Sequence, residues 1–241
     1  MRKLEGYLEN PFDNLNVSED KIKKFFSDHG ARFHKAVENG EPYDDLITDT
    51  DSVLDRLNKA HSTTVTTRTQ LKSRTTTVDE VMKLFKDKIL ECEPLVLNVF
   101  KKKTSAAYIE FFPQGRQGYT RMTKGNIDTL FDQVILAFTH HKDAFGEAKI
   151  HEFEEMKAQY DEARKTQIGQ KKDTSGSSNS WDDALKAMSD QAFINLQRIA
   201  INHRGHPERI SQYFDQSILA NKHYAPDDNT GMMHDASPDV N

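Results

Sequence analysis

Apolar residues recur along this chain at spacings of three and four, the period of amphipathic helices. Ile22, Phe25, Phe26, His29, Phe33, Ala36 and Val37 form the first stripe. Ser18 precedes it as an N-cap, with Glu19 and Asp20 in the first turn. Asn39-Gly40-Glu41-Pro42 stops it. A second stripe runs from about Tyr43 to Leu71, through Leu46, Ile47, Val53, Leu54, Leu57, Ala60 and Val65. Its later part is rich in threonine, a mediocre helix former. Ser73–Thr77 reads as a loop, and Thr77 with Glu80 as a capping box. The helix that follows carries Val78, Val81, Met82, Phe85, Ile89, Cys92 and Val96, with Pro94 expected to kink or split it near Glu93. A short apolar segment, Ala106 to Phe112, leads into a Pro/Gly-rich loop.

From Asn126 the pattern resumes: Ile127, Leu130, Phe131, Val134, Phe138, Phe145, Phe153, Met156, Tyr160 and Ala163. No proline interrupts it, so a single helix of roughly 60 Å is expected, at about 1.5 Å per residue. Gly169–Ser180, made of Gly, Ser, Asn, Gln, Lys, Asp and Thr, reads as a flexible linker. Ser180 then caps a helix beginning at Trp181, which Gly205-His206-Pro207 ends. A last helix is expected over about 207–221, and a disordered tail over 224–241.

Parts of this pattern occur twice. Phe26, His29 and Phe33 return as Phe138, His141 and Phe145, 112 positions on. Val78, Met82 and Asp87 match Trp181, Leu185 and Asp190, and Phe111-Phe112 matches Tyr213-Phe214. The expected fold is therefore all-α: an elongated helical bundle built from two tandem pseudo-symmetric modules. The division is an irregular segment 1–17, a first module 18–115 and a second module 116–223 that contains the linker 169–180.

Composition narrows the class of function. Hydrophobic residues make up 36% of the 241, and the mean hydropathy is -0.78. Such a chain spreads its apolar residues as narrow stripes. A net charge of -5 argues against broad nucleic-acid binding, which needs a basic footprint. With one cysteine, Cys92, no intramolecular disulfide can form. Neither a signal peptide nor a membrane-length apolar run is evident, so a soluble, cytoplasmic protein without stable membrane insertion is expected.

Candidate chemistry is sparse. His29 and His141 hold equivalent positions in the two copies. With Glu147 nearby they make a candidate divalent-metal site, should the copies meet. Glu-x-x-His, which ferritin-like di-iron proteins need, occurs nowhere. Asn202-His203-Arg204-Gly205-His206 reads as a helix C-terminus. Cys92, between two glutamates on an apolar stripe, reads as core. The loop from Pro113 to Gly125 has no counterpart in the second copy, and Arg116, Tyr119 and Arg121 are its candidate binding residues. No nucleophile elbow, P-loop or dinucleotide fingerprint is present. The leading reading is a non-enzymatic interaction or scaffold protein, binding a protein partner or itself and needing no cofactor. A metal-binding helical-bundle enzyme or sensor built on His29 and His141 is the alternative. A membrane-acting helical protein, resting on Ile127–Phe145, is a lesser one.

Overall fold

The computed structural model of the protein describes residues 8–220. The expected tail over 224–241 and the first seven residues of the lead-in lie outside them. The described residues contain helices and no strand. In chain order the α-helices are α1 (Glu19–Glu38), α2 (Asp44–Phe100), α3 (Ala106–Phe111), α4 (Arg116–Thr120), α5 (Ile127–His140), α6 (Lys142–Phe145) and α7 (Glu147–Asn202). Two 3₁₀ turns follow, Pro207–Gln212 and Gln216–Ile218, in place of the α-helix expected over 207–221.

The long helices depart most from the sequence reading. α2 is continuous for 57 residues, straight through the expected loop at 73–77. Thr75, Thr76 and Thr77 explain how. Their hydroxyls donate to the carbonyls of Leu71, Lys72 and Ser73, at 2.9, 3.2 and 3.2 Å. Thr77 is thus not an N-cap, because its hydroxyl bonds back into the preceding turn. Pro94 lies inside α2 on an exposed position, so the helix neither splits nor ends there. The linker expected over 169–180 is likewise helix, inside the 56 residues of α7. Thr174 and Ser178 hydroxyls bond back to the carbonyls of Gln170 and Thr174, at 2.8 and 3.1 Å.

These two polar stretches also bond to each other. The Thr64 hydroxyl donates to the Ser177 carbonyl at 3.0 Å, and the Thr67 and Ser177 hydroxyls meet at 2.7 Å. Further along, the Gln167 side chain donates to the Thr75 hydroxyl at 2.9 Å. Thr64 and Ser177 are buried. A buried hydroxyl without a partner costs about 1–3 kcal/mol, so these pairings are required for the helices to pack here.

The single long helix expected from 127 is broken instead. α5 ends at His140, and Gly146, with φ at +79°, turns the chain between α6 and α7. That φ lies in the left-handed region, which glycine enters without strain.

Two compact units divide the chain between Asn58 and Lys59 and again between Ala184 and Leu185. Unit 1 holds α1, the first part of α2, the last part of α7 and the 3₁₀ turns. Unit 2 holds the rest of α2, α3 to α6, and α7 as far as Ala184. This differs from the tandem division expected at 115/116, which falls inside unit 2 between α3 and α4. The reason is helix continuity: α2 and α7 each run on from one unit into the other.

Aromatic rings fill both cores. In unit 1 Phe12 stacks on Phe214 with centroids 5.2 Å apart, and Phe33 on Tyr43 at 5.1 Å. Gly30 lets α1 approach α2, since a methyl group there would meet Leu54 Cδ2 at 2.8 Å. In unit 2 Phe85 packs on Phe131 at 3.9 Å, Phe111 on Phe138 at 4.8 Å and Phe138 on Phe153 at 5.2 Å. Each fully buried ring contributes about 1.5–3 kcal/mol by leaving water.

Hydrogen exchange measured by mass spectrometry tests the polar helix segments. Amides over 62–77 and 167–180 should be protected, but should exchange before those over 85–92 and 153–160, which pack on aromatic rings. Complete exchange of 169–180 at the earliest time point would restore the linker reading.

Candidate functional site

His29 sits on the buried face of α1, between Phe26 and Phe33 in the stripe. Its ring lies parallel to Phe214, 4.1 Å away. Nδ1 is 3.1 Å from the Tyr213 carbonyl oxygen, which can only accept, so Nδ1 carries the proton. Nε2 then accepts from the Asn195 side-chain amide at 3.0 Å. The same Asn195 amide donates to the Thr50 hydroxyl at 2.9 Å, and its carbonyl accepts from Gln191 at 3.0 Å. Thr50 closes the chain by donating to the Leu46 carbonyl at 2.7 Å. Every member of this buried network has its partner. A second proton on His29 would point at the Asn195 amide, donor against donor. Burial pushes the imidazole from 6.5 down to about 4, and outweighs the Tyr213 carbonyl and Asp28, which favour the cation.

A cleft of about 700 Å³ opens beside this core in unit 1. Arg32, Lys35, Asn39, Glu41, Arg209 and Tyr213 line it. Arg32 is committed to structure, pairing with Asp28 at 2.5 Å and Asp215 at 3.2 Å. The Tyr213 hydroxyl lies 3.0 Å from His203 Nε2, and the Tyr43 hydroxyl 3.3 Å from the same atom. Burial, aided by the Tyr43 contact, holds the Tyr213 phenol above its ordinary value. Elsewhere in the cleft Arg209 donates to the Gln212 side chain at 3.1 Å, and Glu41 lies 3.8 Å from His203. Past the end of α7, Gly205 takes a φ of +88°, the left-handed geometry that ends a helix.

In unit 2 a buried carboxylate organises the segment between α2 and α5. Glu93 is 3% exposed, although carboxylates are rarely buried without partners. It accepts from the Tyr108 hydroxyl at 2.8 Å, Lys103 Nζ at 3.0 Å and Arg116 Nη1 at 2.8 Å. Burial favours the neutral acid, but the Tyr108 hydroxyl and the two cations outweigh it and hold the group below its usual range. The Tyr108 phenol is correspondingly pushed up to about 12, by burial and by Glu93. Tyr119 is buried too, its hydroxyl donating to the Phe111 carbonyl at 2.5 Å.

The residues singled out from the sequence fall in separate places. His29 is in unit 1 and His141 in unit 2, each with partners of its own unit. His141 Nε2 lies 3.3 Å from a Glu110 carboxylate oxygen, without the alignment of a hydrogen bond. Glu147 is exposed at the start of α7. Among the described residues no three His, Cys, Asp or Glu side chains converge where they could hold a metal ion. Of the loop residues, Arg121 is exposed, whereas Tyr119 is core and Arg116 is tied to Glu93. The expected exposed reach of Tyr119 is therefore corrected, because its ring packs on Phe112 and Phe85. Cys92 is buried, and burial pushes its thiol up. Ile127, Phe131, Val134, Ala137 and Phe138, from the stretch behind the membrane alternative, are core. Among the described residues no helix is long and apolar enough to cross a membrane.

Sequence reasoning passed over Glu93 and Asn195. Spacing could have found both. Glu93 is four residues after Ile89 and three before Val96, and Asn195 is three after Ala192 and four before Ile199. Those spacings put each polar residue on a buried face.

The His29 network has a pH signature. Its folded pKa is below its unfolded one, so the neutral ring's contribution is present in full above pH 6.5. It is lost as pH falls from 6.5 towards 4, because the unfolded chain takes up the proton first. The loss is about 3 kcal/mol, at about 1.4 kcal/mol per pH unit. Urea unfolding at pH 7 and pH 4.5 should show it, and His29→Gln should flatten that dependence. No protein family, curated protein or solved structure was found to match this chain.

Proposed function

We propose that this chain is a non-enzymatic helical interaction protein, and that one face of α2 is its contact surface. The observation that carries the reading is a set of large apolar side chains left in solvent on that face. Leu84 is 43% exposed, Leu95 50% and Val99 40%. At about 100° per residue they project within a 60° sector of the helix. Single exposed leucines need no explanation; here Leu95 and Val99 sit on successive turns of one face, with Leu84 three turns before Leu95 across Lys88 and Glu91. That face stands out because elsewhere the firm polar contacts of the two units are made within the chain, around Glu93, Asn195 and Arg32. A cytoplasmic location belongs to the same reading, supported by the single cysteine of the chain.

We further infer that the two sequence copies are structural repeats, interleaved rather than set in tandem. Each Phe-His-Phe stripe meets the aromatic pair of the other copy, with the contacted ring offset by one residue between the two. His29 of the first copy lies on Phe214 of the second, and His141 of the second lies 5.9 Å from Phe111 of the first. Phe138 and Phe145 also pack on Phe111, at 4.8 and 5.5 Å, and Tyr43 packs on Tyr213 at 5.8 Å. On this reading each unit takes its first helix from one copy and its closing aromatic pair from the other.

Two measurements test these readings. A photo-crosslinking amino acid placed at Leu95 in living cells should give discrete heavier adducts, and one at exposed Asp182 should not. Absence of adducts from Leu95 would retire the interaction surface. Separately, a protease site inserted between Thr123 and Lys124 should allow cleavage while the halves still co-elute with native helicity. Halves that separate in native buffer, each folded, would retire the interleaving.

A further inference from the structure

The exposed stripe of α2 has a property beyond being apolar: it is complementary to itself. Between Leu84 and Leu95 the same face carries Lys88 and Glu91. Lys88 Nζ is 3.5 Å from Glu91 and 3.7 Å from Glu152 of α7, so its ammonium lies along this face. The Lys88 and Glu91 side chains are 40% and 67% exposed. The order along the stripe is therefore apolar, positive, negative, apolar. The spacing is symmetric about the midpoint between Ile89 and Leu90: Leu84 and Leu95 are equidistant from it, and so are Lys88 and Glu91.

We propose that the occupant of this face is a second copy of the chain, with the two α2 helices antiparallel about a two-fold axis at that midpoint. Leu84 of each copy then meets Leu95 of the other, and Lys88 of each meets Glu91 of the other. A two-fold contact needs one patch that matches its own reverse, and this stripe meets that condition in both hydropathy and charge. A parallel pairing would set Lys88 against Lys88 and Glu91 against Glu91, and like charges oppose it. In the antiparallel pair the two lysines and two glutamates form a closed square, which keeps the Lys88–Glu91 pairing that each helix already has. Val99, one turn beyond Leu95, falls opposite Glu80 and lies outside the symmetric set.

The contact is small. From Leu84 to Leu95 the helix rises roughly 16 Å, at about 1.5 Å per residue, which places the pair among weak interfaces of low buried area. The association is accordingly concentration-dependent, and it weakens as salt screens the charge square. The inference rests on the α2 face being a contact surface and adds the identity of the partner.

Sedimentation velocity on the purified full chain, over a wide concentration range at low and high salt, tests it. The expected result is a monomer–dimer equilibrium that shifts toward monomer with salt. Lys88→Glu alone and Glu91→Lys alone should each raise the dissociation constant roughly tenfold or more, since each sets like charges opposite one another twice. The double variant Lys88→Glu/Glu91→Lys should restore dimerisation, and helicity and thermal stability unchanged in both single variants separate the contact from an effect within the helix. Leu95→Asp should abolish the dimer with circular dichroism unchanged. Leu84→Asp is a second route should Leu95→Asp fold poorly. A monomer at every concentration would overturn the proposal, as would a dimer indifferent to Leu84 and Leu95 or one not restored by the charge swap. Were the chain monomeric while Leu95 still gave adducts to another protein in cells, the α2 face would stand as a contact surface and only the second copy would fall.

Discussion

The architecture depends on α2 and α7 staying helical where their sequences are least suited to it. Both stretches, 73–77 and 169–180, lie inside unit 2, so a break at either would interrupt one of its two long walls. The stretches concerned are threonine- and serine-rich, and these residues lose helix propensity because their side chains compete for backbone hydrogen bonds. Here that competition is turned inward. The hydroxyls of Thr75, Thr77, Thr174 and Ser178 bond to carbonyls one turn earlier, which leaves the helix intact. Thr64, Thr67 and Ser177 then bridge the two helices, supplying through hydrogen bonds what leucines supply in an ordinary helix pair.

With continuity secured, the aromatic residues can do the rest. The chain has few apolar residues for its length, and 14 phenylalanines hold much of the buried surface. Both cores close by the same means: a helix stripe of Phe, His and Phe receives rings carried by a distant segment. The polar insertions serve those closures. The Asn195–His29–Thr50 network ties the end of α7 to α1 and α2, and Glu93 ties α3 and α4 to α2 through Tyr108 and Arg116. A fully satisfied buried network favours one arrangement over its neighbours, since any shift strands a donor or acceptor. Lys103 and Arg116 reach buried Glu93 from the exposed side. Among the large apolar side chains left in solvent are Leu84, Leu95 and Val99 on α2.

Much of the core was legible from spacing alone. Ile22, Phe25, Phe26, His29 and Phe33 lie where a period of 3.6 places them, and so do Val78, Phe85, Ile89 and Cys92. The candidate site was far less legible. Nothing local in the sequence distinguishes Arg116, which reaches Glu93, from Arg121, five residues on. The fate of each was decided by which part of the loop met the buried face of α2. His29 and His141 invited a joint role because they share a sequence spacing, yet a shared spacing indicates a packing position and not its surroundings. His29 became a neutral, enclosed ring, and His141 a half-exposed ring beside Glu110.

By itself, then, the sequence determined the helical class, the apolar stripes, the short turn at Asn39–Pro42 and the end of α7 at Gly205. These follow from interactions within a few residues: periodicity, capping and the backbone freedom of glycine. Tertiary structure decided whether polar stretches became helix or linker, where the long second-half pattern broke, and which distant aromatic segment closed which core. Those outcomes turn on partners more than 100 residues away, such as Ser177 for Thr64 and Phe214 for His29, and no local pattern encodes a partner's arrival.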